Sequence, residues 1–425
     1  MSLSLLRRSV CAVALLGLLL VAVACGDDKG SSSSGSGDTG TSASSESSTS
    51  SSSGNKATGK PIKMFIITTI ESQFQSLPES VAGAKAAALA ISNNGGVKGR
   101  PISIDFCDDH GTPAAATACA RKAVSEKSDV VQMTTNFSSL IYPILRAAQI
   151  PTVGNNMFSP ADFTDEDSWP LVPGSNIYHS ASPFMVAAAG KKTMDAASLD
   201  IATAVQNAKL SQATAPKANL GWKGVTQFPA TTTDYAPIVQ KLKNAGSEAT
   251  TLIIAGPSIP PILKAAQQLG FKHTWVSNPT GASAAVLKEA GDLAEGMLVI
   301  SPLPTADDPK FKGFNEEMDA AGKAGIKDTD KRTTVSEIPW LAVHAVAAIG
   351  DTMTDELNGP NLIKALNKGK DIDVAGLITW SPADKGPAQF PRVTNSTVYP
   401  QIVKDGKVVP NGDPIDTFKE MGLTS

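Results

Sequence analysis

The sequence predicts an α/β protein built from two lobes, each with a doubly wound parallel sheet. Short apolar segments alternate with helix-forming segments from residue 61 onward, and an irregular stretch at residues 160–182 divides this alternation into two runs. The chain has 425 residues, 41% of them hydrophobic, which is enough for two domains of ordinary size. A net charge of −3 gives no reason to expect a nucleic-acid partner.

The first run reads as four strands and three helices. Its first strand is rich in β-branched residues, as buried strands are, and its first helix repeats apolar residues at helical spacing before the stop signal Asn94-Gly95-Gly96. The predicted strands are Ile62–Ile70, Ile102–Phe106, Asp129–Met133 and Pro151–Val153, and the predicted helices are Val81–Ile91, Ala114–Ser125 and Leu140–Ala148.

The second run repeats the pattern. A helix over 234–244 ends at Gly246, an apolar strand follows at 251–255, and a helix begins at Pro260 and ends at Gly270. Further strands begin at Val276 and cover 297–300. Residues 184–220 carry helix formers but no obvious strand, so they stay unassigned. Repeated strand–helix–strand units imply parallel sheets in both runs.

The N-terminus predicts export. Arg7 and Arg8 precede an apolar run that ends at Ala24, which is typical of a secretory signal peptide over residues 1–24. An uncleaved signal anchor is the alternative. Residues 22–25, Ala-Val-Ala-Cys, resemble a bacterial lipobox, which implies that Cys25 carries acyl chains. The Ser/Gly-rich residues up to 59 are then a tether to a folded part that starts at Lys60.

The remaining candidate chemistry is structural. Cys107 and Cys119 form an even pair in an exported chain, so we expect a disulfide, with two buried thiols as the alternative. Asp108 and Asp109 end a strand, where a turn or capping role is expected. No nucleophile or metal motif is present, and we predict no catalytic residue, metal or cofactor. The histidines are scattered without ligand spacing: His110, His179, His273 and His344.

Four segments resemble a known family, the extracytoplasmic solute-binding proteins of branched-chain amino acid ABC transporters. The first is GAKAAALAISNNGGVKGRPISIDFCDDHGTPAAATACARK at 83–122, and AGDLAEGMLV at 290–299, ITWSPADKG at 378–386 and QIVKDGKVV at 401–409 follow. This resemblance implies the type I periplasmic-binding-protein fold with a three-strand hinge. The implied lobes are residues 60–180 plus 306–380 for lobe 1, and residues 181–305 plus 381–425 for lobe 2.

The resemblance also implies where a ligand binds. Asn136, Ser138 and Ser139, which follow a first-lobe strand, match the family's ligand positions. Asn156-Met157-Phe158 stands where the family has an Ala-Ala-Thr-like turn, and the second-lobe acid has no clear counterpart here. An unpaired ammonium in a closed cleft would cost several kcal/mol. This cost argues against a standard branched-chain amino acid. The expected ligand is a small organic molecule: an amino acid, an amide or a carboxylate-like molecule. The predicted ligand-binding residues are Gln73, Phe74, Asn136, Ser138, Ser139, Asn156, Met157, Phe158, Pro257, Ser258 and Thr280.

These observations predict a solute-binding protein that is anchored by lipid to the outer face of the cell membrane. It would deliver a small molecule to an ABC permease, work as a monomer, and close its lobes on the ligand. Two alternatives stay open. The same lobes could sense a ligand for a signalling receptor, or the scaffold could carry an exported enzyme, which would need titratable groups that converge in the cleft.

Overall fold

The computed structural model describes residues 56–72 and 75–423. The predicted signal peptide, the lipidation site Cys25 and most of the tether lie outside these residues, as do Gln73 and Phe74. All of these described residues belong to one compact unit. Among the described residues, no helix is both long enough and apolar enough to cross a bilayer.

Strands and helices alternate through most of the described chain. The strands are β1 (Ile62–Thr68), β2 (Ile102–Asp108), β3 (Val130–Thr134), β4 (Thr152–Val153), β5 (Ser168–Trp169), β6 (Thr193–Leu199), β7 (Gly221–Phe228), β8 (Ala249–Ile253), β9 (Thr274–Ser277), β10 (Leu298–Ser301), β11 (Ile372–Val374), β12 (Ile378–Trp380), β13 (Thr397–Lys404), β14 (Lys407–Pro410) and β15 (Ile415–Asp416). The helices are α1 (Glu79–Asn93), α2 (Pro113–Ser125), α3 (Ser138–Ala147), α4 (Ser175–Ala188), α5 (Ala202–Thr214), α6 (Ala236–Ala245), α7 (Ile259–Gln268), α8 (Ala284–Ala290), α9 (Lys312–Lys323), α10 (Thr334–Thr352), α11 (Gly359–Leu366) and α12 (Thr417–Glu420).

The first sheet has five parallel strands in the order β2-β1-β3-β4-β5. Strand β1 lies inside the sheet and reads IKMFIIT, with every residue except Lys63 buried. A strand covered on both faces needs such a continuous apolar run. Helices α1, α9 and α10 share one core with this sheet, so the chain returns to the first lobe after residue 311.

The second sheet has the order β14-β13-β10-β9-β8-β6-β7, with β15 paired to β13. Strands β6 to β10 are parallel, whereas β13 runs antiparallel to β10 and pairs with β14 as a hairpin. Parallel strands require crossover helices, which here are α5 to α8. Two sheets with such crossovers confirm the predicted α/β class.

Three segments join the sheets, at residues 170–174, 302–311 and 381–396. They make the expected three crossings between the two sheets, and none of these described segments contains a β-strand. Each segment contains at least two prolines, including Pro170 and Pro173 in the first, and proline cannot donate to a strand ladder. The lobe boundaries stay a prediction; residue 180 lies inside α4, whose buried face packs in the core of the second sheet.

Two stretches differ from the sequence-based expectation. Residues 160–182, expected to be irregular, contain β5 and the first half of α4. Helix α4 was hidden by Pro183 in its interior and by its run of small polar residues. The unassigned stretch 184–220 contains β6 and α5. Strand β6 was missed because it contains Asp195, a residue that disfavours strands. Its buried carboxylate accepts a hydrogen bond from the Thr250 hydroxyl at 2.5 Å.

The predicted disulfide is present. Cys107 at the end of β2 pairs with Cys119 in α2, with the Cα atoms 5.5 Å apart. The bond ties the edge strand of the first sheet to the helix that follows it. A closed loop of this size stabilises a folded chain by about 3 kcal/mol in the chain-entropy account.

Asp108 and Asp109 serve the turn after β2, as expected. The Asp108 carboxylate accepts hydrogen bonds from the backbone N–H groups of Ile70, Glu71 and His110 at 2.8–2.9 Å. These bonds lower the pKa of Asp108 although its partial burial acts in the opposite direction. Glu71, Asp108 and His110 bring one ligand-type atom each within 4.8 Å of one another. The bonds to the backbone account for this cluster as part of the turn.

Candidate ligand-binding site

A closed cavity of about 10 Å³, room for about one water molecule, lies between the carboxyl ends of the two sheets. Open α/β sheets bind ligands at this edge. We call it the interlobe cavity. Its walls come from the segment after β4, the first crossing, α4, the turn after β9, the start of the second crossing and the first turn of α10. The lining residues are Asn155, Asn156, Met157, Phe158, Val172, Pro173, Gly174, Tyr178, Asn278, Pro279, Thr280, Pro302, Thr334, Val335 and Ile338.

Asn155 holds the first wall in place. Its Oδ1 accepts the backbone N–H of Met133 at 2.9 Å, and its Nδ2 donates to the Tyr142 and Thr152 hydroxyls at 3.1 and 2.8 Å. Every polar atom of this buried side chain is therefore used by the protein. Asn156 follows it into the cavity, with Nδ2 3.3 Å from the Thr134 hydroxyl. Of the two amides, Asn156 is the one with capacity left for a ligand.

A buried carboxyl braces the same wall from behind. Asp162 accepts hydrogen bonds from the Tyr142 hydroxyl at 2.8 Å and from the Ser159 N–H at 2.9 Å. Burial raises the pKa of Asp162 to about 6, while the hydrogen bonds from Tyr142 and the Ser159 N–H favour the charged form. Ser138 is fully buried and does not belong to the cavity lining.

The second wall offers a phenol and an amide. Tyr178 on α4 is 6% exposed, and its hydroxyl has no hydrogen-bond partner among the described residues. Burial raises the pKa of Tyr178 above its usual value, so the hydroxyl stays neutral and can donate. Asn278 follows β9; its Oδ1 accepts from the Thr280 hydroxyl at 2.7 Å and the Gly281 N–H at 3.1 Å. The Nδ2 group of Asn278 is left to face a ligand.

The interlobe cavity carries no formal charge on its described lining. Tyr178 is the sole titratable residue among the lining residues, and it is neutral. Glu337 lies behind the wall, between the lining residues Val335 and Ile338 in sequence, and is 1% exposed. Burial raises its pKa to about 8, so this carboxyl is mainly protonated at pH 7. The protein thus keeps a negative charge away from the cavity.

The structure brings four of the predicted ligand residues together around the interlobe cavity, namely Asn156, Met157, Phe158 and Thr280. The other described candidates lie elsewhere: Asn136, Ser139 and Pro257 are exposed outside its lining, Ser138 is buried beside Asp162, and Ser258 accepts a hydrogen bond from the Tyr235 hydroxyl. They follow the correct strand ends, but a strand end alone does not define which side chain turns inward.

Sequence reasoning missed Tyr178, Asn278 and Thr334. Asn278 could have been found, because it directly follows the predicted strand that begins at Val276. Tyr178 belongs to α4, in a stretch that reads as irregular, and no local signal marks it. Thr334 opens α10 behind the N-cap Thr333, whose hydroxyl accepts the Val335 N–H at 3.2 Å. A capping signal predicts the start of a helix but not what that start faces.

Two sheets joined by three segments around an uncharged cavity define a two-lobed binding protein. A model of the family described as periplasmic binding protein matches residues 61–396. This chain therefore belongs to the periplasmic binding protein family, whose members bind solutes outside the cytoplasm. Its class is a periplasmic solute-binding protein and not an enzyme.

The relatives agree with this assignment. The Leu/Ile/Val-binding protein of Escherichia coli K12 is 23% identical over 341 residues, covering 77% of this chain and 88% of that protein. The Leu/Ile/Val-binding protein of Citrobacter freundii is 26% identical over the same length and shares. Both proteins match most of their own length to this chain.

Solved structures share the fold. An ABC transporter solute-binding protein from R. palustris, in complex with 4-hydroxybenzoate, has a TM-score of 0.70 at 18% identity and covers 84% of this chain and 97% of its own. A leucine-binding protein from Thermotoga maritima has a TM-score of 0.68 at 17% identity, with 84% and 99% covered. At 17–18% identity this similarity shows a shared fold and nothing about the ligand.

Proposed function

We propose that this protein is the lipid-anchored receptor of an ABC importer and that it closes its two lobes around one small organic molecule. The family and the two-sheet architecture support the receptor role. The signal-like N-terminus, the lipobox-like residues before Cys25 and the long Ser/Gly-rich tether support the anchor. A tether gives a fixed receptor the reach to meet a permease in the same membrane. The receptor works as a monomer.

One observation carries the choice of ligand: the described lining of the interlobe cavity is uncharged. Apolar side chains such as Met157, Phe158 and Ile338 form most of its surface, and the amides of Asn156 and Asn278 and the Tyr178 hydroxyl provide directional hydrogen bonds. A buried ammonium would find no carboxylate there and a carboxylate no cation, each at a cost of several kcal/mol. The Tyr178 hydroxyl and the Asn278 Nδ2 are unused donors, however, and a carboxylate or amide oxygen can accept their hydrogen bonds. Among amino acids, amides and carboxylates, this lining therefore favours an amide or a carboxylate with an apolar body.

The names of two similar proteins include both an amino-acid ligand and an aromatic carboxylate. The Escherichia coli relative is a Leu/Ile/Val-binding protein, and the R. palustris neighbour is seen with 4-hydroxybenzoate, an aromatic carboxylate. A phenol or amide partner such as Tyr178 or Asn278 suits the polar groups of an aromatic acid or its amide. We therefore place aromatic acids and amides ahead of branched-chain amino acids as ligands of this chain.

A thermal-shift panel tests the proposed function. The purified protein is heated with leucine, valine, benzoate, 4-hydroxybenzoate, benzamide and sugars. A ligand at about one hundred times its dissociation constant adds about 2.7 kcal/mol to the free energy of unfolding, which is an easily measured rise in Tm. We expect an aromatic acid or amide to give the largest rise. The ligand proposal is wrong if leucine and valine stabilise more, and the receptor role is contradicted if no small molecule in a broad panel stabilises the chain.

Replacing Tyr178 by Phe is expected to weaken binding of the best ligand in the panel by about tenfold. The change removes the unpaired hydroxyl but keeps the ring, so the loss corresponds to about 1.4 kcal/mol, one hydrogen bond. Calorimetric titration measures it. The matched control is Tyr235→Phe, because Tyr235 donates to Ser258 outside the interlobe cavity. Equal affinities in the wild type and Tyr178→Phe would show that the hydroxyl does not contact the ligand.

Lipidation is tested separately. Cells that express the wild type and the Cys25→Ser variant are fed an alkyne fatty acid, and the purified chains are assayed for label. We expect label on the wild type alone, because the thiol of Cys25 is the predicted acyl acceptor. Label on Cys25→Ser would contradict this anchor, and an unlabelled wild type retained in the membrane would favour the uncleaved signal anchor instead.

A further inference from the structure

A second cavity lies away from the interlobe cavity, along helix α5. It measures about 740 Å³, opens to solvent, and shares no lining residue with the interlobe cavity. We name it the α5 groove and define it by Phe163, Asn176, Leu210, Lys217, Phe390 and Met421. Its sides come from five separate parts of the chain: the turn after β4, the start of α4, the length of α5, the segment at Phe390, and residues 421–423.

The floor of the α5 groove is apolar and preformed. Phe163 and Phe390 are 1% and 4% exposed, and their rings meet edge to face with centroids 6.0 Å apart. Phe390 stacks in turn on Phe418 at 5.8 Å, which fixes its orientation from below. Met421 and Leu210 complete this surface. Small-molecule sites are typically such apolar concavities with a few placed polar groups.

One buried amide in the α5 groove has no partner in the protein. Asn176 lies in the first turn of α4 and is 5% exposed, and its Oδ1 makes no hydrogen bond with any described residue. Leaving a buried amide group unpaired costs about 1–3 kcal/mol. A bound molecule with a hydroxyl or amide group could supply the missing partner and recover that cost.

The charge of the α5 groove has a single sign. Lys217 lies at the rim, where its Nζ donates to the carbonyl oxygen of Met421 and is held beside the opening. No Asp or Glu occurs among the described residues that line the groove. The rim therefore attracts an anion and gives a cation no partner. The apolar floor, the Lys217 ammonium and the unpaired Asn176 amide therefore suit a ligand with an apolar body, an anionic group and a second polar group.

We propose that the α5 groove is a second ligand site, which takes an apolar-chain monocarboxylate bearing a hydroxyl or amide group. The chain lies on Phe163, Phe390 and Leu210, the carboxylate meets the Lys217 ammonium, and the second polar group pairs with Asn176. A charge-assisted hydrogen bond is stronger than a neutral one, so Lys217 contributes more to affinity than Asn176.

Calorimetric titration of the purified full-length protein with 10-hydroxydecanoate tests this site. We expect saturable binding, weakened about tenfold by Lys217→Gln and abolished by Ala213→Trp, because Ala213 lines the groove from an exposed position that a large ring would fill. Lys209→Gln removes the same charge from an exposed position on α5 outside the groove lining and is the matched control; its affinity should equal that of the wild type. Decanoate, which lacks the hydroxyl, should bind several-fold more weakly than 10-hydroxydecanoate.

Three outcomes overturn the proposal: no binding to the wild type, equal affinities in the wild type and both groove variants, or a loss of binding in Tyr178→Phe, which would place the molecule in the interlobe cavity. Should Ala213→Trp fail to fold by circular dichroism, the comparison of Lys217→Gln with Lys209→Gln decides. The thermal-shift panel on the interlobe cavity is independent of this result, so the two proposals fail separately.

Discussion

Replacing Glu337 by Gln is expected to stabilise the protein strongly at alkaline pH and hardly at all at acidic pH. Glu337 is 1% exposed, its Oε2 has no hydrogen-bond partner among the described residues, and burial raises its pKa to about 8 from an ordinary value of 4.5. The glutamine side chain has nearly the same shape and cannot ionise. The substitution therefore removes the cost of charging this site and leaves the packing of α10 in place.

The direction of this pH dependence follows from the number of protons that the folded and the unfolded chain bind. Between pH 4.5 and pH 8 the unfolded chain loses the Glu337 proton while the folded chain keeps it, so the wild type loses stability as pH rises through this window. The contribution of Glu337 to the free energy of unfolding of the wild type is fully present below pH 4.5 and is lost above pH 8. A shift of this size corresponds to about 5 kcal/mol at the alkaline end, a large part of the stability of a typical domain.

Urea unfolding at pH 5, 7 and 8.5 measures the effect. The difference in the free energy of unfolding between Glu337→Gln and the wild type should grow with pH. Other buried groups also titrate, among them Asp162 and Asp195, but they cancel in this difference because both chains carry them. Glu289→Gln, at an exposed position of α8, controls for the loss of one charge. Parallel pH profiles for Glu337→Gln and the wild type would contradict a buried, neutral Glu337.

The second large effect is expected from Gly83→Ala. Gly83 lies in α1 where this helix meets the first turn of α10, and a Cβ at Gly83 would be 2.0 Å from the carbonyl oxygen of Ser336. That neighbour is backbone and cannot rotate away, so the two helices must separate. Alanine should gain about 1 kcal/mol over glycine from helix propensity, but forced separation of packed helices costs about 3 kcal/mol. We expect a net loss of at least 2 kcal/mol.

Binding should suffer in the same variant. Ser336 follows Thr334 and Val335, which line the interlobe cavity, so a shift of α10 moves one of its walls. Chemical unfolding and titration with the best panel ligand measure both effects. Gly313→Ala is the matched control, because a Cβ there meets nothing within 4 Å inside α9, and it should stabilise by about 0.5–1 kcal/mol. If Gly83→Ala behaved like Gly313→Ala, the close contact between α1 and α10 would not be part of the stable fold.

Glu337 lies in α10 and Gly83 packs against it, so both substitutions affect this helix, which the sequence patterns did not assign. Its first turn begins at Thr333 with a capping box, packs through Ser336 against Gly83, and presents Thr334 and Ile338 to the interlobe cavity. One helix end therefore combines a close helix–helix contact, a buried neutral carboxyl and part of the ligand-facing wall. Its position makes stability and binding respond together.

Local patterns determined most of the first lobe. Strand β1, helix α1 and helix α2 begin and end within about two residues of their predicted bounds, because each has a strong periodic pattern and a clear stop such as Asn94-Gly95. The disulfide was also predictable, since two cysteines remain beyond Cys25 and both flank one strand–helix turn. The prediction failed where polar or proline residues sit inside elements, as Pro183 does in α4 and Asp195 does in β6.

The sequence by itself determined the α/β class, the two runs of alternating elements and the strand ends that border a cleft, because these follow from spacings of a few residues along the chain. Only the tertiary structure decided which side chains face the interlobe cavity. Tyr178, Asn278 and Thr334 come from separate elements and meet because two sheets turn the same edge toward each other. The neutrality of Glu337 has the same origin, since burial by distant parts of the chain, and not its neighbours in sequence, raises its pKa.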